Sequence, residues 1–258
     1  MLVDSHCHLN FPELSDNIQS LRLNMQTENV GHALCVSVTL DKFPEVLSLA
    51  EQFNNFYASV GVHPDYEDID EPTIAQLVSL AEHPKIVAIG ETGLDYFRLT
   101  GDLEWQRERF RTHIRAAILC AKPLIIHTRS AADDTLRIMA EEGADKVSGV
   151  MHCFTESLEV ALKAIEMGFY ISFSGIVTFK NATQLKQVAQ AIPLNKMLVE
   201  TDSPYLAPVP FRGKTNQPAY VKYVAEEIAN LRGISLDFVT QATTQNFFTL
   251  FKHAKAVN

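Results

Sequence analysis

The chain has 258 residues, 47% of them hydrophobic and 21% charged, with a formal net charge of −9. This is globular composition with enough apolar material for a sizeable core, and the acidic balance argues against a protein that coats long nucleic acid. No apolar run approaches the roughly 18 residues that cross a bilayer, and the first residues lack the basic start and apolar middle of a signal peptide, so a cytoplasmic chain with no membrane partner is expected.

The first strand-like run, residues 2–6, leads into MLVDSHCH. Residues two apart on a strand share a face, so His6 and His8 aim at one spot and Cys7 aims away. Asp4 has the parity of His6 and could support it one layer down. The second run, 33–38, carries no candidate ligand, and the helical stretch PEVLSLAEQF follows. The third, 57–62, ends in SVGVHP with His63, ahead of TIAQLVSLAE. The fourth, 86–90, ends in AIGETGLDY with Glu91. Then comes the clearest helix, LEWQRERFRTHIRAAILCAK, with Leu103, Phe110, Ile114, Ala117, Ile118 and Ala121 on one face. Its Trp105, like Tyr96 just before it, reads as a packing or rim residue.

The fifth run, 123–127, ends in LIIHTRS, where Arg129 is two residues after His127 and shares its face. DTLRIMAEEG follows, and the sixth run, 148–152, ends in HCF with His152. After SLEVALKAIEMG and the seventh run, 169–173, the loop FSGIVTFKNA offers Ser174, Gly175 and Lys180, with Asn181 placed to cap the helix ATQLKQVAQAI. The eighth run, 197–201, ends in LVETDSP with Asp202, while Glu200 could be a buried support. The loop beyond it holds Arg212 and Lys214, and helical material runs to the C-terminus. Four separated cysteines, Cys7, Cys35, Cys120 and Cys153, with no CxxC pair, read as reduced thiols.

Strand–helix alternation over eight strands predicts a parallel sheet, and closed on itself this is a single-domain α/β fold, a (β/α)8 TIM barrel, over residues 1–258. An open doubly wound sheet is the alternative, but its Gly-rich phosphate loop is absent. Barrel sites form at the C-terminal strand ends. Six of the eight ends carry a candidate ligand, and five of the nine histidines sit there; His32 opens strand two at the opposite end, and His83, His113 and His253 fall in or near helices.

The set His6, His8, Glu91, His127, His152 and Asp202 exceeds what one tetrahedral ion needs and suits two divalent ions. Glu91 could bridge, with His6, His8 and Asp202 on the first ion and His127 and His152 on the second. Zinc or manganese suits the imidazoles better than magnesium does. Asp202 could hold a water acidified by the ions and accept its proton, which makes the reaction class metal-assisted hydrolysis. His63 is a second-layer or substrate-facing candidate. Arg129, Arg212 and Lys214 could clamp a phosphate, and a few phosphates held at a strand end fit the acidic charge better than binding along a duplex.

The motifs HxH, GVHP, GETGLDY, HTR, HCF and ETDSPYLAP together resemble, in order and over essentially the whole chain, the TatD family of metal-dependent deoxyribonucleases within the amidohydrolase-like barrels. The resemblance implies the same six metal ligands, with Glu91 where related amidohydrolases often carry a modified lysine. It also implies a 3′-end exonuclease; the expected partner is a DNA end or another phosphodiester, and the chain is expected to be a monomer. One departure is Gln217 in FRGKTNQP, where the family often has an acid. Hydrolysis of an amide, lactone or ester, on a small molecule or aminoacyl-tRNA, is the second expectation. A metal-storing or scaffold protein is the third, disfavoured by an open two-metal site with a base candidate.

Overall fold

A computed structural model describes residues 1–256. Eight parallel strands run in the order β1 to β8: Leu2–Cys7, Val30–Cys35, Phe56–Val60, Ile86–Asp95, Leu124–Arg129, Gly149–Met151, Tyr170–Phe173 and Met197–Val199. A bridge between Cys7 and Ser203, with His8 N–H donating to the Ser203 carbonyl at 2.8 Å, joins the first and last strand ends and closes the barrel.

Between and after the strands lie α1 (Pro12–Ser15), α2 (Ile18–Thr27), α3 (Phe43–Gln52), α4 (Ile74–Ala81), α5 (Glu104–Cys120), α6 (Ala132–Glu142), α7 (Leu158–Glu166), α8 (Thr183–Ala191), α9 (Val221–Arg232) and α10 (Leu236–Leu250). Local chemistry sets several boundaries. Thr73 and Gln76 form a reciprocal capping box at the start of α4, and Ser157 and Ser235 accept the orphan N–H groups of α7 and α10. Asn181 does not cap α8. The helix begins after Ala182, whose N–H already bonds the Phe179 carbonyl, and no side chain caps it.

The apolar stripes of the helices pack on the outer face of the sheet, in a core that includes Phe56, Phe110, Phe169 and Phe173. A second cluster fills the barrel's lower interior with Val3, Leu34, Val87, Ile125 and Leu198, stoppered by Phe247, Leu250 and Phe251 of the α10 region. The lower end is therefore dry and packed, which leaves the upper, C-terminal end for chemistry. His32 lies in this lower region against Tyr57 and Phe248, away from the site.

Strand two lies three residues earlier than the sequence reading placed it, at Val30–Cys35. Gly31 and His32 interrupt the apolar run, whereas Val36 and Val38 extend it past the strand while remaining buried. Strand four runs on through Glu91 to Asp95, beyond the expected end at residue 90. One glycine there is required by geometry. Gly93 has φ of +132°, and a Cβ on it would run into the His127 carbonyl, so this position lets β4 and β5 approach closely beside Glu91.

Candidate metal centre

The six expected ligands converge at the upper end of the barrel. His6, His8, Glu91 and His152 are buried, with His127 and Asp202 partly so. The centre of the arrangement is Glu91, whose two oxygens face different partners. Oε2 lies 3.3 Å from His6 Nε2 and 3.8 Å from His8 Nε2. Oε1 lies 3.2 Å from His63 Nε2, 3.3 Å from His127 Nδ1 and 2.7 Å from His152 Nε2.

The donor spacing fits metal ions. Asp202 Oδ1 completes the first cluster, 3.5 Å from His6 Nε2 and 3.4 Å from His8 Nε2, while the two imidazole nitrogens are 3.2 Å apart. A tetrahedral ion with bonds of about 2.0–2.2 Å separates its ligand atoms by about 3.3–3.6 Å, close to this spacing. The second cluster consists of Glu91 Oε1 and His127 Nδ1, with His63 Nε2 also within reach. His152 stands between the clusters. Its ring stacks on His6 at 3.9 Å, and it groups with His6 and Asp202 as well as with Glu91 Oε1. The expected division, with His152 wholly on the second ion, is therefore less sharp in space than in the chain. His152 Nε2 is buried and faces Glu91 Oε1 at 2.7 Å, on the side of the ring that looks into the ligand set.

Acceptors behind the imidazoles hold them. His8 Nδ1 faces the Val36 carbonyl at 3.1 Å, His127 Nε2 faces Asp95 Oδ2 at 3.0 Å, and His152 Nδ1 faces Glu200 Oε1 at 3.3 Å. Glu200 thus supports an imidazole, as its parity suggested. Asp4 does not; it accepts from Thr201 N–H and Oγ and so anchors the turn that leads to Asp202. Asp95 was missed by sequence reasoning, although it lies on β4 with the parity of Glu91, and period-two counting could have found it.

Burial alone would raise the pKa of Glu91, but the charges of His152, His63 and His6 hold it well below the usual carboxylate range. Asp202 is likewise depressed despite burial, by its hydrogen bond to His8 and the charges of His6 and His152. Burial opposes protonation of His152, yet Glu91 and Glu200 raise its pKa well above the usual value. The centre is therefore built for anionic carboxylates facing cationic charge.

Above the ligands opens a cavity of about 690 Å³, lined by His8, His63, Glu91, His127, His152 and Asp202 and, at the rim, by Phe11, Tyr66, Arg98, Arg129 and Tyr205. Arg129 stacks on Phe97, and Arg98 pairs with Asp65 at 2.7 Å. Arg98 was not singled out from sequence. Arg212 and Lys214 are exposed, lie against Phe179 and Phe211, and do not line the cavity, and Lys180 does not line it either. Trp105 and Tyr96 serve packing and structure: the first lies against Arg109, the second donates to Asp134 Oδ2 at 2.7 Å. Cys7 is buried as expected, but Cys153 lines the cavity, its Sγ 3.3 Å from Ser174 Oγ. Gln217 accepts from Asn24 at 2.8 Å, remote from the cavity lining.

The chain matches the family model described as TatD related DNase over residues 3–252. It is 46% identical over 253 residues to the metal-dependent hydrolase YcfH of Escherichia coli K12, covering 97% of this chain and 95% of that one. It is 42% identical to the metal-dependent hydrolase YabD of Bacillus subtilis, covering 98% and 99%. A crystal structure of YjjV, a TatD homologue from Escherichia coli K12, superposes with a TM-score of 0.91 at 30% identity, covering 97% of this chain and 98% of that chain.

Proposed function

This chain belongs to the TatD-related DNase family of metal-dependent hydrolases, and from that premise we propose that it removes nucleotides from an exposed end of single-stranded DNA by hydrolysing phosphodiester bonds. The observation that carries the reading is Glu91, which offers one oxygen to each of two ligand clusters at the floor of a cavity with a cationic, aromatic rim. Two divalent ions held there would acidify a water and draw charge from the scissile phosphate.

This chain's own residues do the rest. His6, His8, His127, His152, Glu91 and Asp202 would hold the ions, and zinc or manganese fits the imidazole content. Asp202, at the cavity wall with its carboxylate kept anionic, orients the attacking water and accepts its proton. Arg98 and Arg129 receive phosphate oxygens, while Tyr66, Tyr205 and Phe11 give unpaired bases flat faces to stack on. The overall charge of −9 restricts this attraction to a few phosphates at the cavity. The same rim favours an anionic substrate over a neutral amide or lactone.

The test is end-labelled single-stranded DNA with manganese, beside a panel of esters, lactones and amides. Mononucleotides released from one end support the proposal, and labelling either terminus gives the polarity. Intact DNA together with turnover of a neutral ester or amide overturns it.

A further inference from the structure

Spacing alone would let His63 join Glu91 and His127 in holding an ion. The hydrogen bonds behind the rings separate it from His8, His127 and His152. For His8, His127 and His152 the outward nitrogen faces an oxygen acceptor only: the Val36 carbonyl, Asp95 and Glu200. In the neutral imidazole the outward nitrogen then carries the hydrogen and the inward one keeps its lone pair, as metal ligation requires. His63 is connected in the opposite sense. Its outward Nδ1 accepts the backbone N–H of Asp65 at 3.1 Å, while Asp65 Oδ2 lies farther off at 3.9 Å and is taken by Arg98 at 2.7 Å. A backbone N–H only donates, so the neutral ring carries its hydrogen on Nε2, the atom 3.2 Å from Glu91 Oε1.

We infer that His63 is not a metal ligand but an N–H donor, through Nε2, to an oxygen of the substrate beside the metal centre. The identity of that oxygen rests on the phosphodiesterase reading: it is a non-bridging phosphoryl oxygen that gains charge as water attacks. Before substrate arrives, Glu91 Oε1 takes its place. No proton is transferred at His63 and no bond is made or broken there; the N–H dipole meets charge that develops in the transition state.

The fold protects this orientation. Three buried polar residues of α5 grip the backbone around His63. Val62 N–H donates to His113 Nε2 at 3.0 Å, Arg109 Nη1 donates to the His63 carbonyl at 3.1 Å, and Gln106 Nε2 donates to the Pro64 carbonyl at 3.1 Å. Arg109 is itself fixed by a two-pronged pair with Glu71, at 2.5 and 2.8 Å. Turning the ring to present a lone pair would strand the Asp65 N–H in a loop that cannot shift to compensate.

Two variants separate donor from ligand. His63→Leu removes the N–H, and His63→Gln keeps one near the position of Nε2. Calorimetric titration of the full chain with manganese is expected to give wild-type stoichiometry for both. Turnover of bis(p-nitrophenyl) phosphate should fall roughly 100-fold in His63→Leu and recover for the most part in His63→Gln. A long-range proton–nitrogen correlation spectrum of the zinc-loaded wild type should show His63 protonated at Nε2. Loss of one bound equivalent in His63→Leu, wild-type turnover in that variant, or protonation at Nδ1 after zinc loading each overturns the inference. If the wild type cleaves no phosphodiester, the proposed function fails, while stoichiometry and protonation site still decide the role of His63.

Discussion

Asp95 accepts from His127 Nε2 at 3.0 Å, and this turns His127 Nδ1 toward Glu91 Oε1, 3.3 Å away. The pairing places an anion behind an imidazole whose other nitrogen faces a metal cluster, which fixes the ring and raises its basicity. Burial would raise the Asp95 pKa, but the hydrogen bond and charge of His127 bring it down to about 2. The carboxylate is thus an anion at any pH where the protein would work.

Asp95→Asn should therefore keep the fold and weaken metal binding at the second cluster, by roughly 10- to 100-fold as is typical for such supporting acceptors. Competition for zinc against a chromophoric chelator measures this. Unchanged affinity would mean that His127 needs no partner to hold its orientation.

Substrate capture should depend on the rim and not on Arg212 and Lys214, farther along the loop after β8. Arg98→Ala and Arg129→Ala are each expected to raise KM for single-stranded DNA about 10- to 100-fold, the range for one lost charge-assisted hydrogen bond. The pair Arg212→Ala with Lys214→Ala should leave KM near the wild-type value, because neither side chain lines the cavity. Steady-state kinetics at several salt concentrations should also give a shallow slope, since few phosphates are held. A large KM effect from the second pair would place the substrate outside the cavity.

This contrast marks where the sequence was readable. The eight strands and the six ligands follow from strand periodicity and from the rule that barrel chemistry sits at strand ends, and His6, His8, Glu91, His127, His152 and Asp202 do converge. What a loop does is not periodic. Arg212 and Lys214 occupy a loop whose path depends on distant contacts, such as Val209 N–H donating to Thr178 Oγ1 and the Asn24 amide donating to Gln217. Arg98 likewise meets the rim through its pair with Asp65, 33 residues away in the chain. Asp95 was hidden because the apolar run stops at residue 90 while the strand continues. His113, a helix histidine with no visible role in the sequence, turns out to brace the strand end that bears His63.

His113 should also shape the acid stability of the fold. Burial, with the nearby Arg109 charge, outweighs the hydrogen bond to the Arg109 carbonyl and pushes its pKa down to about 4. In the unfolded chain it titrates near ~6.5, so between these values the unfolded state binds more protons. Its contribution is complete above pH ~6.5 and declines as pH falls toward 4, by about 3 kcal/mol in total. Urea unfolding across that range should show the decline, and His113→Gln should flatten it. An identical pH slope in the variant would assign the acid sensitivity to other groups.

Glu91 is placed to share its two oxygens between two divalent ions, one in each cluster. Anomalous diffraction from crystals soaked in manganese or zinc tests it most directly. Two peaks are expected to flank the Glu91 carboxylate, about 3.5–4 Å apart as in two-metal hydrolases, one beside His6, His8 and Asp202 and the other beside His127. A single peak, or none near Glu91, would contradict it.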